Sequence, residues 1–166
     1  SSTQTVTIDV NPVDDLTAAD DTASTDEDTP LSGTVADNDS TTSGGELSFA
    51  KESDPANGTV TVNTDGTYTY TPDDNFHGED SFTYTVTDAE SGESSTQTVT
   101  IDVNPVDDLT AADDTASTDE DTPLSGTVAD NDSTTSGGEL SFAKESDPAN
   151  GTVTVNTDGT YTYTPD

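Results

Sequence analysis

SFTYTVTDAESGESSTQTVTIDV, residues 81–103, alternates apolar and polar side chains on both sides of a short polar turn. Phe82, Tyr84 and Val86 interleave with Thr83 and Thr85, the chain turns over Asp88–Ser94, and Thr96–Val103 runs back in the same rhythm. A period of two places one set of side chains on one face of a strand, so the stretch reads as a β-hairpin with one buried face. Threonine suits the solvent side because its β-branched carbon fits the pleat.

The same rhythm extends outward. Val60 and Val62 alternate with Thr59 and Thr61, Asn63-Thr64-Asp65-Gly66 turns the chain, and Tyr68 and Tyr70 follow between threonines. Val6, Ile8 and Val10 alternate with Thr5, Thr7 and Asp9. No stretch carries a 3.6-residue period, so the chain is expected to be all β. Seven strands are predicted, near 18–25, 30–36, 46–52, 58–63, 67–72, 81–88 and 95–103. Seven short strands in about 90 residues suit an immunoglobulin-like antiparallel β-sandwich.

Residues 94–166 repeat residues 1–73 letter for letter, a period of 93 residues. A repeat of that length is a tandem array of domains rather than a solenoid of 20–50-residue units. Asn11-Pro12-Val13-Asp14-Asp15 and its copy Asn104-Pro105-Val106-Asp107-Asp108 interrupt the strand pattern and read as linkers. One complete domain is therefore expected at 14–104. Residues 1–11 read as the last strand of a preceding repeat, and 107–166 as a second domain without its final hairpin. The chain looks like an excerpt from something longer. Residues 1–11 of one molecule could complete 107–166 of a neighbour, giving head-to-tail chains. Otherwise the expected partners are neighbouring repeats of the same polypeptide.

Composition narrows the function. The 166 residues carry 36 acidic side chains against Lys51 and Lys144, a formal net charge of -34. Nucleic acid and direct contact with an anionic membrane are excluded, because both need Lys and Arg to replace counterions. The chain has no Cys, so it has neither a disulfide framework nor thiolate chemistry. No apolar run approaches the roughly 20 residues of a membrane-spanning helix. Only 26% of residues are hydrophobic, so a small domain of this kind needs another staple. For so acidic a chain the natural one is a divalent cation.

Three segments taken together, DDTASTDEDTPLSGTV (20–35), PANGTVTVNTDGTYTYTPD (55–73) and FHGEDSFTYTVTD (76–88), resemble the cadherin-like, immunoglobulin-like extender repeats of long, type I-secreted RTX adhesins of bacteria. The match spans the whole period. The resemblance implies a β-sandwich, export to the bacterial cell surface, a part in cell adhesion and biofilm, and calcium at domain junctions. One departure concerns an acidic loop of the N-D-x-D-x-D-G-D type that members often carry. Here the loop reads Asn38-Asp39-Ser40-Thr41-Thr42-Ser43-Gly44-Gly45.

Calcium takes six to eight hard oxygens, and strand order indicates which acids can converge. Up-down alternation sends Asp26, Glu27 and Asp28 to the end where the exit linker leaves with Asp102, Asn104, Asp107 and Asp108. Asp9, Asn11, Asp14 and Asp15 are the linker's first copy, and Asp130 and Asp132 lie in a loop the next domain offers to the same junction. Asp37, Asp39, Asp88, Glu90 and Glu93 are expected at the opposite end of the complete domain. Catalysis has little support. His77 is the sole histidine, and no hydroxyl can be matched with a base and an orienting acid. The main reading is a non-catalytic extender spanning very roughly 30–45 Å per domain, stiffened by Ca2+. The alternative is a ligand-binding module for carbohydrate or ice that uses the Thr-rich strand faces.

Overall fold

A computed structural model describes residues 1–166. The chain divides into two compact units, Ser1–Pro105 and Val106–Asp166. The first holds β1 (Leu16–Thr17), β2 (Asp21–Asp26), β3 (Leu31–Thr34), β4 (Ser40–Thr41), β5 (Leu47–Lys51), β6 (Gly58–Val62), β7 (Thr67–Pro72), β8 (Gly78–Asp88) and β9 (Ser94–Asn104). The second holds β10 (Leu109–Thr110), β11 (Leu124–Thr127), β12 (Ser133–Thr134), β13 (Gly151–Val155) and β14 (Thr160–Pro165). There is no helix, so the all-β, immunoglobulin-like class is what the structure shows.

In the first unit a four-stranded sheet, β2-β9-β8-β5, faces a three-stranded sheet, β3-β7-β6, across one apolar core. The 81–103 stretch forms its centre. β8 and β9 pair antiparallel from Gly78↔Val103 to Thr87↔Ser94, with Phe82, Tyr84, Val86, Val99, Ile101 and Val103 all turned inward and almost fully buried. Tyr68 meets Phe82 edge-on across the two sheets at 5.4 Å. The Asn63–Gly66 turn closes the β6–β7 hairpin, and Gly66 has φ +88°, which L side chains rarely adopt. A Cβ there would also lie 2.9 Å from Ala36.

Two expectations need correction. The predicted strand at 18–25 forms only from Asp21 on, as β2, which pairs with β9; a separate β1 ahead of it pairs with β4 in another sheet. The break at Ala18–Asp20 is built by side chains. Asp39 accepts the Ala19 amide at 3.0 Å, and Asn38 donates to the Ala19 and Asp20 carbonyls. β4 itself was not foreseen. The second correction is that β2 runs parallel to β9, the other pairings being antiparallel. A parallel pair needs a long crossover, and here the whole body of the unit, from β3 to β8, supplies it.

The second unit repeats the hairpin β13–β14 with β11 alongside, and β10 with β12. Residues 74–93, which carry β8, have no second copy in these 166 residues. The copy of β5 (140–144), whose counterpart pairs with β8, forms no strand, and neither does the copy of β2 (114–119). Val128, Phe142, Val153, Tyr161 and Tyr163 are only half-buried, whereas their counterparts Val35, Phe49, Val60, Tyr68 and Tyr70 are no more than 6% exposed. Residues 1–15 also form no strand.

Candidate functional site: the acidic ends of the first unit

Alternation along β8 puts two carboxylates in phase with the core: Asp80 and Asp88 point inward with Phe82, Tyr84 and Val86. A buried carboxylate is tolerated only when its lone pairs are filled, and both are. Asp80 accepts the amides of Ala56 and Asn57 at 3.0 Å each, and the Tyr70 hydroxyl at 2.9 Å. It thereby ties the Pro55–Gly58 turn of the opposite sheet to β8. Burial first, then the hydrogen bond to Asp80, pushes the Tyr70 hydroxyl pKa far up, so it remains a donor.

Asp88 sits at the other end of β8 and is fully buried. It accepts the hydroxyls of Thr41 at 2.5 Å, Ser43 at 2.6 Å and Ser91 at 3.0 Å, and the Glu90 amide at 3.0 Å. These bonds, Ser43 and Thr41 foremost, hold its pKa well below the ordinary 3.8. The loop that departs from the acidic pattern therefore supplies hydroxyl donors to this carboxylate. Beside it, Tyr84 donates to Asp21 at 2.9 Å and is 3.1 Å from Asp39. Burial foremost, with Asp39 and Asp20 nearby, raises the Asp21 pKa.

The two shifts have opposite signs. A depressed pKa adds stability that is present above about 3.8 and is lost as pH falls through the folded value; a raised one penalises the fold once the group ionises. Asp88→Asn should therefore flatten the loss of melting temperature seen in titrations below pH 4. Asp21→Asn should leave stability at pH 7 unchanged or slightly higher, since its amide oxygen still accepts from Tyr84. A destabilised Asp21→Asn at neutral pH would contradict this assignment.

The predicted ligands divide by place. At the lower end, the parallel register sets Asp26 beside Asn104 and Ser24 beside Asp102. Asn104 donates to Asp26 at 3.2 Å, and its carbonyl accepts the Glu27 amide at 2.9 Å. Glu27 is 6% exposed. Asp28, at φ 57°, accepts the Asn75 amide at 2.8 Å. Asp102 faces Glu79 directly across β8–β9, and both are exposed. Like charges so paired repel. Asp26 and Asn104 are thus joined, with Glu27 and Asp28 next along the chain from Asp26 and Asp102 two residues before Asn104 on β9.

The others lie elsewhere. Asp9, Asn11 and Asp14 are exposed in the strandless segment. Asp15 belongs to the upper end, where its amide donates to Glu93 at 2.9 Å and its carboxylate accepts from Thr42 at 2.6 Å. In the second unit, Asp107 and Asp130 are exposed, Asp108 accepts the Thr135 hydroxyl, and Asp132 accepts the Ala112 amide at 3.0 Å. Asp20, in the β1–β2 break, accepts the Thr98 amide of β9 at 2.8 Å. No group of three or more Asp, Glu or His converges as a metal site would require. The donors at the lower end are nevertheless all oxygen, the chemistry calcium takes. The sequence places Asp88 at the upper end as expected but does not announce that it is buried, nor that Asp80 is; the phase of both with Phe82 along β8 is the available signal.

Both cations are used locally, Lys51 by Asp54 and Lys144 by Asp147. His77 is exposed in the β7–β8 loop. Residues 13–105 match the model of the bacterial cadherin-like domain. The chain belongs to that family. Residues 104–166 match the model of a bacterial Ig domain, and no curated protein matches the chain. Among solved structures, the endo-fucoidan hydrolase MfFcnA4 from glycoside hydrolase family 107 is similar at 19% identity and a TM-score of 0.47, covering 94% of this chain and 25% of that one. MfFcnA9 from the same family gives 16% identity and a TM-score of 0.37 over 86% of this chain and 27% of that one. The cadherin-like chain therefore spans about a quarter of those enzymes, and likenesses this weak carry no argument about activity.

Proposed function

We propose that these cadherin-like units are a non-catalytic extender of a long bacterial surface adhesin of the RTX type, exported from the cell, holding a distal binding domain away from it and stiffened by calcium at the linkers. The observation that carries the reading is the 93-residue copy itself. A spacer gains reach from each added repeat, whereas a catalytic centre gains nothing from identical neighbours.

Calcium would draw on Asp26, Glu27, Asp28, Asp102 and Asn104, with Asp107 and Asp108 from the linker. Its chemistry would be charge neutralisation, relieving pairs such as Glu79 and Asp102. Binding to the native state adds RT ln(1 + [L]/Kd), so one site of extracellular affinity, with Kd of about 0.1–1 mM, contributes on the order of 1–2 kcal/mol in millimolar calcium. Small-angle scattering and thermal melts with and without a few millimolar calcium test this. The expected result is a longer particle and a higher melting temperature, both lost in Asp102→Ala. A chain whose shape and stability ignore calcium would sink the calcium reading.

A second reading, a carbohydrate- or ice-binding face, gains from one observation. Ser32, Thr69 and Thr61 align in one row across β3, β7 and β6, with Thr71 and Thr59 in the next. Solvent-facing strands commonly carry Thr in any case. Ice-recrystallisation and glycan-array assays showing no binding would remove this alternative.

A further inference from the structure

Tension on a domain within a tandem array enters through the linker before it and leaves through the linker after it. In the first unit the incoming chain is held at the upper end, where the Asp15 and Leu16 amides donate to Glu93 at 2.9 and 2.8 Å. The outgoing chain leaves β9 at the lower end, at Asn104. β2, which follows the entry, and β9, which precedes the exit, are neighbours in one sheet. They run parallel, from Asp21↔Val99 to Asp26↔Asn104. A pull on the two linkers therefore drags β2 and β9 past each other along their common axis. An antiparallel pair in the same place would be parted from one end instead.

We propose that the parallel β2–β9 pair is a tension clamp, which keeps the first unit closed under a pull on its linkers because its ladder fails only by shear. The source of the tension rests on the extender reading; the geometry is the unit's own. Sliding β2 by one residue, about 3.3 Å, breaks the bonds of the ladder together. Peeling a six-residue strand from one end spreads the same work over about 40 Å, two strand rises for each residue. Force is work divided by distance, so shear demands a several-fold higher peak force.

Local bonds reinforce the clamp at both ends. Above β2, the Asp20 carboxylate accepts the Thr98 amide of β9 at 2.8 Å. Below it, the Glu27 amide donates to the Asn104 carbonyl at 2.9 Å, and the Asn104 side chain donates to Asp26 at 3.2 Å. β9 is fixed on its other side to β8, from Gly78↔Val103 to Thr87↔Ser94, with Val99, Ile101 and Val103 buried. β2 is the edge strand of this sheet, so β2 is the piece that must slide. β1 yields earlier, being joined to β4 only through Leu16↔Thr41 and Thr17↔Ser40.

Single-molecule pulling of the full chain in calcium-free buffer tests the proposal. The chain has no cysteine, so thiol handles can be placed in chosen pairs. Ser1→Cys with Asp166→Cys pulls on both linkers and shears β2 against β9. Thr29→Cys with Asp166→Cys draws on the lower end of both strands and peels them apart; Thr29 is exposed there. In the first geometry the unit should open in one step of about 25 nm, the chain from Asp21 to Asn104 less the folded span. The force should be several-fold higher than in the second geometry. Forced unfolding follows the unfolding barrier rather than equilibrium stability. Val60→Ala, in the buried face of the opposite sheet, should therefore lower the melting temperature and leave the shearing force nearly unchanged. Similar forces in the two geometries overturn the clamp. A shearing force that falls along with the melting temperature in Val60→Ala overturns it too, since resistance would then be general stability. A failed clamp leaves the calcium response of the extender as it was, and a chain that ignores calcium leaves the clamp standing.

Discussion

Asp80→Ala should lower the stability of the first unit by about 3–4 kcal/mol, the largest loss expected from removing one polar side chain. The carboxylate is 5% exposed and accepts two amides of the Pro55–Gly58 turn and the Tyr70 hydroxyl. Alanine would strand those donors away from water, each at about 1–3 kcal/mol when wholly unsatisfied, with partial relief as water enters. For a domain of this size 1 kcal/mol is worth about 4–8 °C, so the melting temperature should drop by roughly 15–25 °C in calorimetry. Asp80→Asn keeps one acceptor oxygen and should lose markedly less. If alanine costs no more than asparagine, the carboxylate is not what fastens the turn.

The second prediction sets two identical sequence contexts against each other. Ile101→Ala should cost about 3 kcal/mol, the usual range for a buried aliphatic truncation being 2–5 kcal/mol, because Ile101 is fully buried between β2 and β8. Ile8→Ala sits in the same eleven-residue sequence at 78% exposure and should stay within about 0.5 kcal/mol. Melts should be run at low micromolar concentration, so that self-association does not contribute. Equal costs at the two positions would mean that residues 1–11 are covered as fully as β9.

Much of the first unit was legible in the sequence for a simple reason. Its strands are half-buried, so period-two alternation marks them directly, and six of the seven predicted segments fall on β3, β5, β6, β7, β8 and β9. The seventh, 18–25, begins three residues before β2 because the β1–β2 break is made by Asp39 and Asn38, some twenty residues away. Local pattern carries no record of such distant bonds. The acids were the harder reading. Composition counts Asp80, Asp88 and Asp102 alike, yet two are buried hydrogen-bond acceptors and one is exposed opposite Glu79.

The repeat separates the two kinds of information cleanly. Alternation, turn residues and charge are properties of the letters, and they determine that each segment can be a strand, which face is apolar and that no cationic partner surface exists. They do not determine whether the strand forms. Residues 94–104 are the centre of a sheet and residues 1–11 are not; residues 21–26 and 47–51 are strands, and 114–119 and 140–144 are not. A strand's backbone amides and carbonyls are satisfied by a neighbour rather than within the segment. Only the β8–β9 hairpin, present once, supplies that neighbour and the apolar cover that goes with it.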